Sequence, residues 1–411
     1  MTTAQPINIV RMITRLNIGG PAIHAALLST SMDPDRFSTC LVVGTPDATE
    51  GDLSDLVQQN QGRVVHLKTL HRAIHPWHDL CSLVTLVRIL NTERPQILHT
   101  HMAKAGALGR LAGLLYNAFG HGRQPGARVV LIHTFHGHVL DGYFPVWVTR
   151  VFVIIERWFA RRTDRLIAVS QSIQDVLLEK GIGRREQWQV IPLGFDLSAF
   201  GKLPLSNGTS SIRVGLIGRL VPIKNPALFL EALAKVHQQR LGVLASGIIV
   251  GDGPLRPSLE REVTRLGLDG LVRLVGWQRD LPAVYSDLEA TCVTSWNEGT
   301  PVAMIEAMAA GRTVVATDVG GVRDLLTDPS QPPVSIAPGG FSMTNRGVLV
   351  RAGDADGLAA ALTTVATDAP LRRSLGEAAR AYVMRRFGQE RLLRDMTELY
   401  DALRKRRDQR T

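Results

Sequence analysis

Two glutamates separated by seven residues, Glu298 and Glu306, mark the most informative stretch of this 411-residue chain, Asn297-Glu298-Gly299-Thr300-Pro301-Val302-Ala303-Met304-Ile305-Glu306-Ala307-Met308-Ala309-Ala310-Gly311. Thr300 is a favoured N-cap type, Pro301 suits the first helical position and Gly311 suits the carboxyl end, so the pattern predicts a helix over this stretch. Nearly every face of that helix is apolar, and within Thr300–Gly311 the only charge is Glu306. A buried carboxylate is costly unless it is hydrogen-bonded. Its partner is either a structural Arg or Lys from elsewhere, or a pair of ribose hydroxyls. Distance favours the ribose. A diphosphate seated on the free N–H groups of the helix start meets the positive end of the dipole. Glu306, five residues past Pro301, lies about 7.5 Å further along the axis, roughly one sugar away. Glu298 then faces the opposite side of the diphosphate, where a donor sugar would sit.

A second group fits the same ligand. Gly218-Arg219-Leu220-Val221-Pro222-Ile223-Lys224 follows an apolar run, and from such a loop Arg219 can reach a diphosphate by a fork and Lys224 as a point charge. Gly251-Asp252-Gly253-Pro254 is a tight turn that either lets backbone approach a nucleotide or is only a turn. No Gly-x-Gly-x-x-Gly or Walker sequence opens either half, which argues against dehydrogenase and P-loop chemistry.

Eleven of the twelve histidines precede residue 140, and His133-Thr134-Phe135-His136-Gly137-His138 follows a strand-like run. With His99 and His101 this group invites a metal reading. It lacks a local carboxylate or thiolate pattern and a two-histidine helix spacing, so the expectation is no metal, with one polar histidine turned toward a substrate. Asp33-Pro34-Asp35 and Asp354-Ala355-Asp356 read as caps rather than metal–diphosphate ligands.

Elements must position these groups. Short β-branched apolar runs alternate with longer helical stretches, the mark of α/β architecture with parallel sheets. Strands are expected near Ile7–Met12, Cys40–Val43, Val64–Leu67, Ile97–His99, Val129–Ile132, Leu166–Val169 and Val190–Ile191. A second series falls near Arg213–Leu216, Gly247–Val250, Val272–Val275, Ala290–Val293, Thr313–Ala316 and Gly347–Val350. Each half opens with a strand running into a glycine loop, Gly19-Gly20 in one and Gly218-Arg219 in the other. The expected organisation is two Rossmann-like doubly wound domains, 1–203 and 212–378, facing a central cleft and joined by a polar linker at 204–211. A charged helical segment, 379–411, ends the chain, and periodicity leaves open whether it crosses back to the first domain.

Composition excludes several classes. Hydrophobic residues make up 45% and charged residues 20%, an ordinary globular balance, and three scattered cysteines imply no disulfide framework. No apolar run reaches the ~20 residues that span a bilayer, and the first residues lack a signal-peptide core, so a cytoplasmic protein is expected. The net charge of +10 favours phosphates, nucleic acid or anionic lipid without choosing among them.

Together these residues resemble retaining, nucleotide-sugar-dependent glycosyltransferases of the GT-B fold, in the large group that contains bacterial phosphatidylinositol mannosyltransferases and polysaccharide glycosyltransferases. The likeness rests on Gly19-Gly20 with His24, Thr134-Phe135-His136-Gly137, Ile191-Pro192-Leu193-Gly194-Phe195-Asp196, Gly218-Arg219 with Lys224, and Glu298 with Glu306. It implies that Glu306 holds ribose hydroxyls, Glu298 contacts the donor sugar, and Arg219 and Lys224 hold the diphosphate and stabilise the leaving group. It further implies that the Gly19-Gly20 loop approaches the donor phosphates, His136 lies near the reacting sugar, and Val275-Gly276-Trp277 lies near the base. Gly218, Gly251, Asp252, Gly299, Thr300, Pro301 and Val302 complete the expected donor site. The implied reaction moves a hexosyl group from a nucleoside diphosphate sugar to a saccharide or lipid-linked acceptor in cell-surface polysaccharide or glycolipid synthesis. It needs no metal or cofactor and involves no nucleic acid. Rivals are another GT-B enzyme (a sugar phosphorylase or a sugar-nucleotide epimerase) and a non-catalytic basic polyanion-binding protein. The second rival leaves Glu306 unexplained.

One further segment, Arg150-Val151-Phe152-Val153-Ile154-Ile155-Glu156-Arg157-Trp158-Phe159-Ala160-Arg161-Arg162, mixes apolar bulk with four arginines. It fits either a core helix with a solvated face or a helix that rests weakly on an anionic membrane surface, which would place the protein at the inner face of the plasma membrane.

Overall fold

Strands buried on both faces read as continuous apolar runs, and here they pair into two parallel-dominated sheets. The computed structural model describes residues 6–17, 19–45, 53, 57, 62–137, 146–206, 211–239, 244–328 and 335–408. His138 and the linker positions 207–210 lie outside the described residues. The first sheet contains β1 (Ile7–Ile13), β2 (Phe37–Val43), β3 (Arg63–His66), β4 (Ile97–His101), β5 (Val130–Phe135), β6 (Arg165–Ala168) and β7 (Trp188–Val190). Their order is β3-β2-β1-β4-β5-β6-β7, parallel throughout. The second contains β8 (Ser211–Ile217), β9 (Leu244–Val250), β10 (Val272–Gly276), β11 (Ala290–Val293), β12 (Thr313–Thr317), β13 (Phe341–Met343) and β14 (Val348–Val350). Their order is β10-β9-β8-β11-β12-β14-β13, with β13 antiparallel to β14. The edge strand β13 was not expected, because a three-residue strand carries no readable alternation.

The chain divides into two compact units, Met1–Phe195 with Gln389–Thr411, and Asp196–Gly388. The boundary therefore falls before the expected linker, and residues 196–203 belong to the second unit. The terminal helical segment is also not one piece. A helix over Ala369–Phe387 stays with the second unit, while Gln389–Asp408 returns to the first. There Leu392, Met396, Leu399, Tyr400 and Leu403 close the core over Ile7, Ile9, Ile97, Ile132 and Ile167. The opposite face of the first sheet is covered by the helices Pro76–Glu93 and Ala103–Phe119.

In both sheets the strand order reverses once, between β1 and β4 in the first and between β8 and β11 in the second. Ligands of doubly wound folds bind beyond the carboxyl ends of the strands at such switch points. The carboxyl ends of β8 and β11 carry Gly218-Arg219 and the Thr294–Thr300 loop, and those of β1 and β4 carry the Gly19-Gly20 loop and His101.

Candidate donor site and histidine group

In the second unit the helix after β11 runs Val302–Ala309, with Pro301 as its N-cap residue and no side-chain capping bond. This corrects the expectation for Thr300 and Pro301: the helix starts one residue later, and Thr300 is not its cap. Met304, Ile305, Ala307, Met308 and Ala309 are buried. Glu306 finds neither Lys nor Arg among the described residues. Its partner is the Tyr285 hydroxyl, 3.2 Å from Oε2, which also donates to the Ala303 carbonyl at 2.8 Å. Burial pushes the Glu306 carboxyl up to about 7, against the bond from Tyr285, which acts to lower it.

Glu298 and Lys224, expected to stand apart on the donor, meet each other instead. Lys224 Nζ lies 2.6 Å from Glu298 Oε1, and the buried Ser295 hydroxyl donates to the same oxygen at 2.5 Å. The backbone holds the two loops together, since Thr294 donates to the Lys224 carbonyl at 2.9 Å and the Trp296 N–H to the Ile223 carbonyl at 2.8 Å. Beneath Glu298 lies the start of the Gly321–Leu326 helix, whose Gly321 N–H donates to the Glu298 carbonyl at 3.1 Å. A Cβ on Gly320 would stand 2.0 Å from the Glu298 carbonyl oxygen and one on Gly321 1.7 Å from that of Gly299, so only glycine permits this approach.

The Gly251-Asp252-Gly253 turn has a structural explanation. A Cβ on Gly251 would meet the Gly218 carbonyl at 2.0 Å and one on Gly253 the Leu220 carbonyl at 2.5 Å. The turn's backbone packs on the Gly218–Leu220 loop, with Leu220 N–H donating to Asp252 O at 2.9 Å, and Asp252 pairs with Arg256 at 3.1 Å. Arg219 and Trp277 are exposed, and Val275 is half-buried with its carbonyl accepting from Gln278 at 3.0 Å.

In the first unit Gly19 precedes the Gly20–Thr30 helix, and a Cβ there would meet nothing within 4 Å. His24 from that helix lies with its ring centroid 5.1 Å from that of His136 and 5.6 Å from that of His101. His101 Nδ1 and His136 Nε2 are 2.9 Å apart. His99 and His101 alternate on β4, so they share a face with Arg11 and Ile13, their register partners on β1. His133 points to the opposite face, against Thr100 at 2.9 Å. Burial holds His24, His99, His101 and His133 well below the ordinary histidine range and takes His136 down to about 3, so all five rings are neutral near pH 7. Among the described residues no group of three or more His, Cys, Asp or Glu has a metal-holding arrangement. Asp354 caps the Ala355–Thr367 helix through the Gly357 N–H, as expected.

Tyr285, Ser295 and the Gly320-Gly321 pair were not singled out in the sequence. The glycine pair after a strand was a readable signal, whereas nothing in the spacing marks a lone tyrosine or serine.

Comparison with known proteins decides the family. A glycosyl transferases group 1 model matches residues 211–368, and a glycosyltransferase family 4 model matches residues 18–199. The UDP-Gal:alpha-D-GlcNAc-diphosphoundecaprenol alpha-1,3-galactosyltransferase of Escherichia coli is 30% identical over 281 residues, 66% of this chain and 70% of that enzyme. The chain is a GT-B glycosyltransferase. A D-inositol 3-phosphate glycosyltransferase of Corynebacterium kroppenstedtii is 27% identical to this glycosyltransferase over 334 residues, 75% of the chain and 68% of the relative. In fold it is similar to Anabaena HepE, solved with UDP and glucose, at a TM-score of 0.74 and 21% identity, covering 96% of this chain and 100% of that one.

Proposed function

We propose that this glycosyltransferase moves a hexosyl group from a nucleoside diphosphate sugar to a hydroxyl of a saccharide or lipid-linked acceptor, with retention at the anomeric carbon, in polysaccharide or glycolipid synthesis. The observation that carries the reading is Glu306: a carboxyl with no cation beside it among the described residues, one phenol as partner, and a pKa raised by burial to about 7. Such a group gains most from a ligand that donates hydroxyls to it, as a ribose does. The uncapped start of the same helix supplies N–H groups for the diphosphate. The relative from Escherichia coli, named for a UDP-sugar donor and a diphosphoundecaprenol-linked acceptor, supports both substrate classes.

In this reading the bond from the anomeric carbon to the diphosphate oxygen breaks while a bond to the acceptor oxygen forms on the same face. The acceptor proton passes to the departing diphosphate. Arg219, Lys224 and the helix start balance the charge that develops on the leaving group, where preorganised donors act most strongly. Glu298 orients the donor sugar, Trp277 and Val275 border the base, and His136 of the first unit approaches the reacting sugar. Gly218, Gly251 and Asp252 shape the donor loops, and Gly299, Thr300, Pro301 and Val302 line the phosphates. Gly19 and Gly20 leave room for donor phosphates and acceptor.

A membrane contact belongs to the same proposal. The Val146–Ala160 helix exposes Val146, Trp147, Val151, Ile154, Ile155 and Trp158, and Arg150, Arg157, Arg161 and Arg162 are exposed beside them. Apolar bulk with flanking cations suits an anionic lipid surface on the cytoplasmic side. Among the described residues no helix is long and apolar enough to cross a membrane.

Incubation with a panel of nucleotide sugars and a lipid-diphosphate-linked acceptor tests the function, with the new linkage read by NMR. A product with the donor's anomeric configuration is expected. An inverted product overturns retention, and free phosphate consumption with sugar phosphate formation points to a phosphorylase.

A further inference from the structure

Behind the histidine pair His101–His136 lies a buried chain of hydrogen bonds that neither substrate binding nor charge balance in the reaction uses. Arg11, Tyr400 and His99 are all fully buried. Arg11 Nη2 donates to the Tyr400 hydroxyl at 3.0 Å, and Arg11 Nη1 donates to Ser29 at 3.0 Å. The Tyr400 hydroxyl lies 2.7 Å from His99 Nδ1, and His99 Nε2 lies 2.7 Å from the Thr134 hydroxyl. Tyr400 sits on the Gln389–Asp408 helix, 301 residues away from His99 in sequence.

Proton counting settles the direction. An arginine only donates, so the phenol oxygen accepts from Arg11 and keeps its own proton to give away. Its neighbour with a lone pair is His99 Nδ1. A neutral imidazole carries one N–H, so His99 then bears its proton on Nε2 and donates it to Thr134. The reverse tautomer would leave the phenol proton without an acceptor in a fully buried site, an expensive arrangement. The His99 ring, pinned at both nitrogens, lies with its centroid 4.2 Å from that of His101, which in turn pairs with His136 at 2.9 Å.

We propose that Tyr400 is a positioning residue for the histidine group: its hydroxyl fixes His99 as the Nε2–H tautomer, and the pinned ring sets the orientation of the His101–His136 pair. The helix that returns to the first unit thus contributes one polar atom to the ordering of a site it does not itself line. The functional half of this proposal rests on the reading that His136 meets the reacting sugar, while the tautomer half stands on the hydrogen bonds alone.

The test uses the full chain labelled with nitrogen-15 in histidine, with two-bond nitrogen–proton correlation spectra to read each tautomer and His99→Gln to assign the His99 signals. In the wild type His99 is expected to show a protonated Nε2 and an unprotonated Nδ1. In Tyr400→Phe the His99 signals should move toward a mixture of tautomers, with turnover falling about tenfold and the KM for donor unchanged. Thr134→Val, which removes the other partner, should also release the tautomer and serves if Tyr400→Phe does not fold. A wild-type His99 protonated on Nδ1, or a tautomer unmoved in the folded variants, overturns the proposal. The expected tautomer shift with unchanged turnover retains the hydrogen-bond assignment and overturns the positioning role. A wild type that transfers no sugar while its His99 is protonated on Nε2 counts against the proposed function instead.

Discussion

Lys224 Nζ reaches Glu298 Oε1 at 2.6 Å across 74 residues of sequence, and Ser295 meets the same oxygen at 2.5 Å. The pair joins the loop after β8 to the loop after β11, the two sides of the switch point in the second sheet. Breaking such a partly buried pair by removing one member leaves the other charge uncompensated. On the proposed function, a diphosphate that takes up the Lys224 charge would release the Glu298 carboxylate to accept hydroxyls of the sugar beyond it. Donor binding on this account exchanges one ion pair for another and leaves no buried charge alone.

Glu306→Gln is expected to stabilise the free protein in alkali. A carboxyl raised to about 7 in the fold, from an ordinary 4.5, holds its proton where the unfolded chain has lost it. Stability therefore falls as pH rises from about 4.5 through 7, because in that window the native state binds more protons than the unfolded one. Glutamine has no charge to bury. Thermal melting from pH 5 to 8 should show wild type and variant together at pH 5, and the variant higher by roughly 2–4 °C at pH 8. Parallel curves across the range would contradict the buried-carboxyl assignment.

Tyr285→Phe removes the one hydroxyl that holds Glu306 toward ionisation. The carboxyl should rise further, and nucleotide binding, which on the proposed function uses the ionised form to accept ribose hydroxyls, should need a higher pH. Titration of a nucleoside diphosphate at pH 6, 7 and 8 checks this. The expected loss is largest at pH 6, and a loss independent of pH would assign Tyr285 to packing alone.

His136→Ala should leave nucleotide affinity near that of the wild type and lower turnover about a hundredfold, the scale of a positioned proton-transferring or polar catalytic group. Steady-state kinetics with donor and acceptor varied separately will show it. Chelator should leave the wild-type rate unchanged. Activity lost to chelator and restored by a particular divalent ion would return the group of His133 and His136 with His99 and His101 to a metal reading.

Much of the fold was legible because the central parallel strands are buried on both faces and announce themselves as apolar runs, as Thr313–Thr317 does. That Glu306 is a lone charge in an apolar helix was equally legible. Its partner was not, since a tyrosine hydroxyl 21 residues upstream leaves no periodic trace. The Lys224–Glu298 contact was hidden for the same reason: both residues were singled out, but only folding brings their loops together. The helix Gln389–Asp408 shows its apolar stripe in sequence, yet a stripe does not say which sheet it will cover. Thr300 illustrates competition among local signals. Its type favours the cap, while the Pro301 backbone, with ψ at 109°, takes the cap position itself.

The Val146–Ala160 helix should bind anionic vesicles weakly at low salt and release them as salt rises, because screening weakens exposed charge. Co-sedimentation with anionic and neutral vesicles at low and high salt checks it, with Ile154→Ser and Trp158→Ser expected to reduce the bound fraction. Equal or absent binding in all four conditions would leave the apolar face without a lipid partner.

The most direct test of the central claim is calorimetric titration of a nucleoside diphosphate into wild type and Glu306→Gln at pH 8, with both proteins shown to be folded. The variant should bind more weakly by about 1–3 kcal/mol, the scale for altering a charged hydrogen-bonding group, which is about 5- to 150-fold in Kd. Equal affinities would contradict the claim, because Glu306 would then be a buried structural carboxyl and the nucleotide would lie elsewhere.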